Sequence, residues 1–191
     1  LQFEKLKSQF KLPKKYLLYV GRLSFIKGPD LLLKAFMNFW KNVNYEIIFA
    51  GPDDNMMFEM LKKINDSKLM QKVHFLGMVS PFERDLLIKN AFLTVIPSRR
   101  EAMSMIALES ALMGTPFLAT NCCGLEEFIN HSAGFICQPD SNSIQEVLLE
   151  LLLNPKKVNK VGVNAKEYVH SNFDWDLILR EMSITLKNFL N

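Results

Sequence analysis

Two glutamates in the stretch PSRREAMSMIALESALMG, residues 97–114, are the first candidates for ligand chemistry. Glu109 has apolar neighbours three and four positions away on both sides, so a helix would place its carboxylate on an apolar face. A buried carboxylate without a partner is costly, so we expect Glu109 to reach the rim of the fold or to meet a donor group. Glu101 has a competing structural explanation, because Ser98 precedes it by three positions, as in a capping box at a helix start.

The spacing of the two glutamates suggests what they could bind. On one α-helix, eight positions correspond to a rise of about 12 Å and a rotation of about 80°, so both carboxylates could border one elongated ligand. Carboxylates accept hydrogen bonds from sugar hydroxyls, and the free amides of a helix N-terminus bind phosphate. The pattern fits a hexose and a ribose joined by a pyrophosphate.

A basic pair occurs in a second stretch, GRLSFIKGPD, which begins at Gly21. Pro29 is typical of the first position of a helix, so Lys27 lies just before a helix N-terminus, where the helix dipole disfavours a cation. A bound anion would reverse that preference, and Arg22 could add a second donor. Each charge-assisted hydrogen bond to phosphate contributes about 1.5–3 kcal/mol. The alternative is that both cations are ordinary solvated loop residues.

A third stretch, GMVSPFE, begins at Gly77. The glycine permits close backbone approach, so the backbone of Met78 and Val79 could hydrogen-bond a flat heterocycle. Ser80 and Glu83 have a simpler role, because their spacing predicts a capping box for the next helix.

These stretches need strands that bring them to one edge of a sheet. Periodicity predicts short apolar strands over residues 16–21, 45–51, 73–77, 92–97, 116–120 and 134–139. It predicts helices over residues 1–12, 29–40, 56–69 and 81–90, within 97–114, and from 142 to the end. In the C-terminal part, Asn154-Pro155 separates two helices and Asp174 can cap the last.

Continuous apolar strands with helical crossovers predict an α/β fold, a Rossmann-like doubly wound parallel sheet followed by C-terminal helices. In such a sheet, ligands bind beyond the carboxyl ends of the strands, which is where all three stretches fall. The chain has 191 residues, of which 49% are hydrophobic, so we expect one domain over residues 1–191. Because the sequence starts with Leu1, we expect a piece of a longer protein.

Composition disfavours several classes of protein. Lys and Arg total 23 and Asp and Glu total 20, a net charge of +3, which argues against a nucleic-acid partner. No apolar run approaches the roughly 18 residues of a membrane span. Lysine clusters at residues 11–15 and 156–160 could touch anionic lipid, although such clusters are more often solvated. Neither the three cysteines nor the three histidines have metal-ligand spacing, so we expect reduced cytosolic thiols and no metal site.

Several stretches, taken in order, resemble glycosyltransferase family 4. They are VGRLSFIKGPDLLLKAF, IIFAG, VHFLGMV, PSRREAMSMIALESALMGTPFLATNCCGLEEFI, AGFICQPD and a closing FDW. The resemblance is to the C-terminal, donor-binding half of this retaining, twin-Rossmann GT-B fold, and it covers residues 5–191. It implies that the N-terminal acceptor domain is absent from this chain.

The resemblance also implies roles for individual residues. Arg22 and Lys27 would bind the donor pyrophosphate, Glu101 the hydroxyls of the transferred sugar and Glu109 the ribose; the first three would be the catalytic residues. The full donor site implied comprises Gly21, Arg22, Lys27, Gly77, Met78, Val79, Glu101, Met103, Ser104, Met105 and Glu109. Within this set, the backbone of residues 78–79 would receive the base, and the amides of residues 103–105 would face phosphate and sugar.

Two departures from the family pattern leave the donor sugar open. Ala102-Met103-Ser104 follows Glu101 where the family often has Gly-Phe-Gly, so side chains intrude on the sugar pocket. Cys123-Gly124 replaces a Gly-Gly pair.

The activity implied is that of a retaining hexosyltransferase acting on a glycan, lipid or polysaccharide acceptor. The donor would be UDP- or GDP-linked, with no cofactor or metal, in polysaccharide or lipopolysaccharide assembly. Its place would be cytoplasmic, at the inner face of a membrane, and this fragment alone would be inactive. One alternative is a catalytically silent sugar-nucleotide scaffold or sensor. Another, a dinucleotide-binding Rossmann domain, is disfavoured because the first turn lacks GxGxxG.

Overall fold

A single parallel sheet organises the part of the chain that the computed structural model describes, residues 2–190 without the side chains of Leu177 and Leu190. Its strands lie in the order β3-β2-β1-β4-β5-β6. They are β1 (Tyr16–Val20), β2 (Glu46–Ala50), β3 (Val73–Gly77), β4 (Leu93–Ile96), β5 (Phe117–Thr120) and β6 (Phe135–Cys137). The predicted strands are confirmed.

Both faces of the sheet are covered, as the continuous apolar strands require. In β1, Leu17 and Tyr19 belong to one buried cluster, whereas Tyr16 and Leu18 belong to another. Successive side chains of a strand point to opposite faces, so the two clusters lie on opposite sides of the sheet. The doubly wound α/β fold is therefore confirmed.

Helices connect and flank the strands. They are α1 (Gln2–Phe10), α2 (Pro29–Phe39), α3 (Met57–Lys62), α4 (Ser67–Met70), α5 (Pro81–Asn90), α6 (Met105–Leu112), α7 (Glu126–Asn130), α8 (Ser141–Leu153), α9 (Pro155–Asn172) and α10 (Trp175–Leu190). As predicted, α8 and α9 part at Asn154-Pro155, and Asp174 accepts the Asp176 N–H at 2.9 Å at the start of α10. Leu1 and Asn191, the outer ends of two predicted segments, lie outside the described residues. No helix within residues 2–190 is long and apolar enough to cross a membrane.

The prediction of one helix over residues 56–69 is wrong. The segment forms two short helices, α3 and α4, because Asp66 interrupts it. The Asp66 carboxylate accepts hydrogen bonds from the amides of Lys68 and Leu69 and thereby caps a new helix.

The helix in the stretch 97–114 begins later than the capping-box pattern suggests. It starts at Met105, so Glu101 lies in the preceding loop and not on the helix. That loop is held by its amides: Arg99 N–H donates to the Ile26 carbonyl at 2.8 Å, and Glu101 N–H donates to the Cys122 carbonyl at 2.8 Å. The helical rise and rotation expected between the two glutamates are therefore wrong.

The sheet order places two of the three stretches side by side. Strand β1 lies between β2 and β4, so the chain winds away from β1 in both directions. Ligands of open α/β sheets bind at such a switch point, outside the carboxyl ends of the strands. The β1–α2 loop and the β4–α6 loop meet there.

Candidate functional site

Lys27 and Glu101 form an ion pair where these two loops meet. Lys27 Nζ lies 2.8 Å from Glu101 Oε1, and the side chains are 33% and 14% exposed. Glu101 Oε2 accepts a hydrogen bond from Ser98 Oγ at 3.0 Å. The serine and the glutamate do interact, but in a loop, so the predicted capping box at a helix start is wrong. The structure thus joins two of the three catalytic candidates.

Arg99 holds the two loops together, although no local sequence pattern predicts this role. Its guanidinium donates to both carboxylate oxygens of Asp30, at 2.8 and 2.7 Å, and to the Phe25 carbonyl at 2.6 Å. It also lies 3.9 Å from the centroid of the Phe25 ring. A bidentate, largely buried pair of this kind fixes geometry as well as charge. The Arg99–Asp30 pair therefore holds the Lys27 loop against the Glu101 loop.

Arg22 lies with Lys27 along one cleft of about 370 Å³. The Tyr19 hydroxyl donates to the Arg22 carbonyl at 2.6 Å and holds the turn after β1, next to Gly21. The Arg22 guanidinium is 64% exposed and 3.9 Å from the Asp54 carboxylate. This contact is longer and more exposed than the Lys27–Glu101 pair.

Glu109 meets a donor group, which is one of the two outcomes expected for it. Arg84 Nη1 lies 3.0 Å from Glu109 Oε1, so the ion pair joins α5 to α6. Arg84 also donates to Asp85 Oδ1, so two carboxylates share one guanidinium. Glu109 Oε2 is shielded and has no hydrogen-bond partner in the described part of the chain. Burial raises the pKa of Glu109, Arg84 opposes the rise and Asp85 adds to it.

The raised pKa of Glu109 predicts how stability depends on pH. The folded protein binds this proton more tightly than the unfolded chain, so ionised Glu109 lowers the free energy of unfolding above its folded pKa. That penalty disappears as the pH falls. We expect the unfolding free energy of the wild type, minus that of Glu109→Gln, to increase between pH 7 and pH 4 in urea titrations. A flat or decreasing difference would contradict the assignment, and an Asp85→Asn background controls for the neighbouring carboxylate.

The amides before and at the start of α6 differ in their partners. The Ser104 amide donates to the Cys123 carbonyl at 3.2 Å, and its contact with a phosphate stays a prediction. Ser104 Oγ is buried and finds no partner among residues 2–190. Met105 opens α6, where helix geometry leaves the amide without an intrahelical acceptor. The side chains of Met103 and Met105 are exposed.

The Gly77 stretch lies at the same edge of the sheet, beyond β3. The Gly77 carbonyl accepts the Gly51 amide at 2.8 Å, and the Met78 side chain is 78% exposed. Val79 packs partly against the core. The predicted capping box of Ser80 and Glu83 is confirmed, since each side chain accepts the other's amide.

Two of the three cysteines support the Glu101 loop through their backbone carbonyls. All three are free thiols, as predicted. Cys122 and Cys123 accept the amides of Glu101 and Ser104 through their carbonyls. Burial raises the pKa of the Cys123 thiol, and burial raises that of Cys137 to about 12, so both stay protonated at neutral pH.

Comparison with known families and structures gives one consistent result. The sequence model of the family described as Glycosyl transferases group 1 matches residues 2–168. An uncharacterized glycosyltransferase of Methanocaldococcus jannaschii, MJ1607, is 33% identical over 174 residues, covering 87% of this chain and 43% of that protein. Glycogen synthase of Mycobacterium tuberculosis is 28% identical over 167 residues, covering 85% of this chain and 40% of that protein.

A solved structure shows the same fold. The Anabaena protein Alr3699/HepE, crystallised in complex with UDP-glucose, superposes with a TM-score of 0.83 at 22% identity, covering 97% of this chain and 52% of that one. The chain spans about half the length of this protein and less than half of the two relatives above.

Proposed function

The chain belongs to the family of group 1 glycosyl transferases, and from that premise we propose that it binds a nucleoside-diphosphate sugar at the carboxyl edge of its sheet. The donor is UDP- or GDP-linked. The observation that carries the proposal is the Lys27–Glu101 contact at the switch point. The Lys27 ammonium group can bind a pyrophosphate, and it lies 2.8 Å from the Glu101 carboxylate, which can accept hydrogen bonds from sugar hydroxyls.

The diphosphate binds Lys27, and Arg22 moves in from the exposed side of the same cleft. The Met105 amide, which opens α6, adds a donor aligned with the helix dipole. When the glycosidic bond breaks, negative charge develops on the diphosphate, and fixed cations and amides stabilise it. Arg22 and Lys27 thereby assist departure of the leaving group.

The other end of the donor reaches toward α5 and α6. Glu109 accepts from the ribose hydroxyls while Arg84 holds its carboxylate. The base lies against the backbone of Met78 and Val79, beyond Gly77. Support comes from the Arg84–Glu109 pair, which joins Glu109 to the first turns of α5, directly after Met78 and Val79.

The reaction proposed is a sugar transfer with retention. The bond between the anomeric carbon and the diphosphate oxygen breaks, and its electron pair goes to the diphosphate. The acceptor hydroxyl oxygen forms the new bond on the same face of the sugar, and its proton passes to the departing phosphate. Glu101 holds the sugar hydroxyls during this step.

The acceptor is a glycan, lipid or polysaccharide, and its site lies on an N-terminal domain that this chain does not include. The chain spans less than half the length of two relatives, which supports the proposal that donor and acceptor sites lie on separate domains. We place the activity in polysaccharide or lipopolysaccharide assembly, on the cytoplasmic side of a membrane, where the lysine clusters can touch lipid. Without the second domain, this chain binds donor but does not transfer sugar.

One observation favours a second candidate, a silent sugar-nucleotide scaffold. The loop after Glu101 carries Ala102, which is exposed, and Ser104, which is buried, where the resemblance calls for glycines. A scaffold would bind the nucleotide without gaining affinity from the sugar.

Calorimetric titration tests both candidates. UDP, GDP and ADP are each titrated with and without an attached hexose, with NAD as a control for an ordinary dinucleotide site. We expect one base to be preferred, one hexose to increase its affinity, and Glu109→Gln to weaken diphosphate binding by about 1–3 kcal/mol through the ribose. Equal affinity with and without every hexose would support the scaffold, and preference for NAD would refute both.

A further inference from the structure

We propose that Glu101 acts against the bare nucleoside diphosphate by occupying Lys27, so that the site favours the sugar-bearing donor over the product left after transfer. This inference rests on the proposed function and adds a second role to Glu101. In addition to accepting sugar hydroxyls, the carboxylate competes with phosphate for the same ammonium group.

The contact distances support such competition. Lys27 Nζ is already 2.8 Å from Glu101 Oε1, within the range of a charge-assisted hydrogen bond. A phosphate oxygen that binds the same ammonium group therefore stands close to a like-charged carboxylate. Juxtaposed like charges are unfavourable, most of all where solvent screening is weak, and Glu101 is only 14% exposed.

Contacts around the pair hold Glu101 and the segments that carry both partners in place. Ser98 Oγ holds the second oxygen of Glu101 at 3.0 Å, and the backbone amide of Glu101 is bonded to Cys122. On the other loop, Arg99 fixes Asp30 in the first turn of α2, close behind Lys27. While these contacts hold the two loops together, a diphosphate that binds Lys27 shares it with Glu101.

A bound hexose changes this balance. Its hydroxyls donate to Glu101 and disperse the negative charge that faces the phosphate. After transfer the hydroxyls are gone, and the carboxylate again opposes the diphosphate. Glu101 thus weakens product binding at the moment when the product must leave.

The test is the isosteric variant Glu101→Gln, titrated with inorganic pyrophosphate, UDP and GDP at low salt. We expect each to bind about fivefold more tightly than to the wild type, the upper range for one ion pair near a surface. The nucleotide sugar should gain less or lose affinity, because the variant lacks the carboxylate acceptor. Glu150→Gln is the matched control, because it removes the same charge from an exposed 2.6 Å pair with Lys157. Its affinities should equal those of the wild type.

A double-mutant cycle with Lys27→Met shows whether the effect passes through the ion pair. In the Lys27→Met background, the gain in pyrophosphate binding free energy caused by Glu101→Gln should fall by at least half. An undiminished gain would mean that Glu101 repels the ligand without involving Lys27, and it would overturn the proposal. Unchanged or weaker pyrophosphate binding to folded Glu101→Gln would also overturn it, even if the wild type prefers a sugar nucleotide. Tighter pyrophosphate binding without any preference for a sugar would show that Glu101 competes for Lys27, but it would overturn the discrimination against the product and refute the proposed function.

Discussion

Replacing Lys27 with methionine is expected to weaken the binding of UDP or GDP by about 10-fold to 100-fold, because one or two charge-assisted hydrogen bonds to the diphosphate are lost. Methionine preserves much of the length of the side chain, so packing changes little. The substitution also leaves the Glu101 carboxylate, 14% exposed, without its cation. We therefore expect the free energy of unfolding to fall by about 1–3 kcal/mol as well.

Lys157→Met provides the control, since Lys157 pairs with Glu150 at 2.6 Å on the exposed surface of α8 and α9. Exposed pairs contribute little, so both affinity and stability should stay near the wild type. Calorimetry measures the affinity and urea denaturation the stability. If Lys27→Met binds the nucleoside diphosphate as tightly as the wild type, the diphosphate does not lie where we place it.

The second large effect concerns Gly28, which connects Lys27 to α2. Gly28 and Gly77 have nearly the same left-handed backbone, with φ of 67° and 68°. A Cβ at Gly28 would lie 2.1 Å from the Pro97 carbonyl oxygen, whereas one at Gly77 would meet nothing within 4 Å. Gly77→Ala therefore carries only backbone strain, about 1–2 kcal/mol. Gly28→Ala adds a collision with the loop that carries Glu101.

We expect Gly28→Ala to lower the free energy of unfolding by at least about 3 kcal/mol, a size that marks steric conflict in a packed region. Urea denaturation of the two alanine variants measures the difference directly. Equal losses in both would show that the β1–α2 and β4–α6 loops can move apart. That result would also weaken the argument that Lys27 and Glu101 are held together.

The sheet could be predicted because its signal is local. The strands β1, β2, β4 and β5 are short, mostly apolar runs buried on both faces, and β1 illustrates this with four consecutive buried residues, Tyr16–Tyr19. The start of α6 could not be predicted in this way. Residues 98–104 stay out of the helix because three of their amides, those of Arg99, Glu101 and Ser104, donate to carbonyls that are distant in sequence.

In the candidate site, too, single residues could be predicted from local sequence, whereas their contacts could not. Lys27 and Glu101 each follow from local spacing, but their contact spans 74 positions and requires the sheet order β1-β4. Arg84 and Arg99 were missed because nothing near them in sequence distinguishes them from solvated arginines. Their partners, Glu109 and Asp30, are brought to them only by the packing of α5 on α6 and of the two loops.

The most direct test of the donor site is a crystal structure of this chain with the nucleotide sugar that calorimetry finds to bind most tightly. Our account predicts the pyrophosphate within hydrogen-bond distance of Lys27 Nζ, near the N-terminus of α6, with a hexose hydroxyl on Glu101 and the ribose toward Glu109. A nucleotide bound elsewhere, such as the cleft beside Trp40 and Asp66 at the C-terminal end of α2, would contradict it.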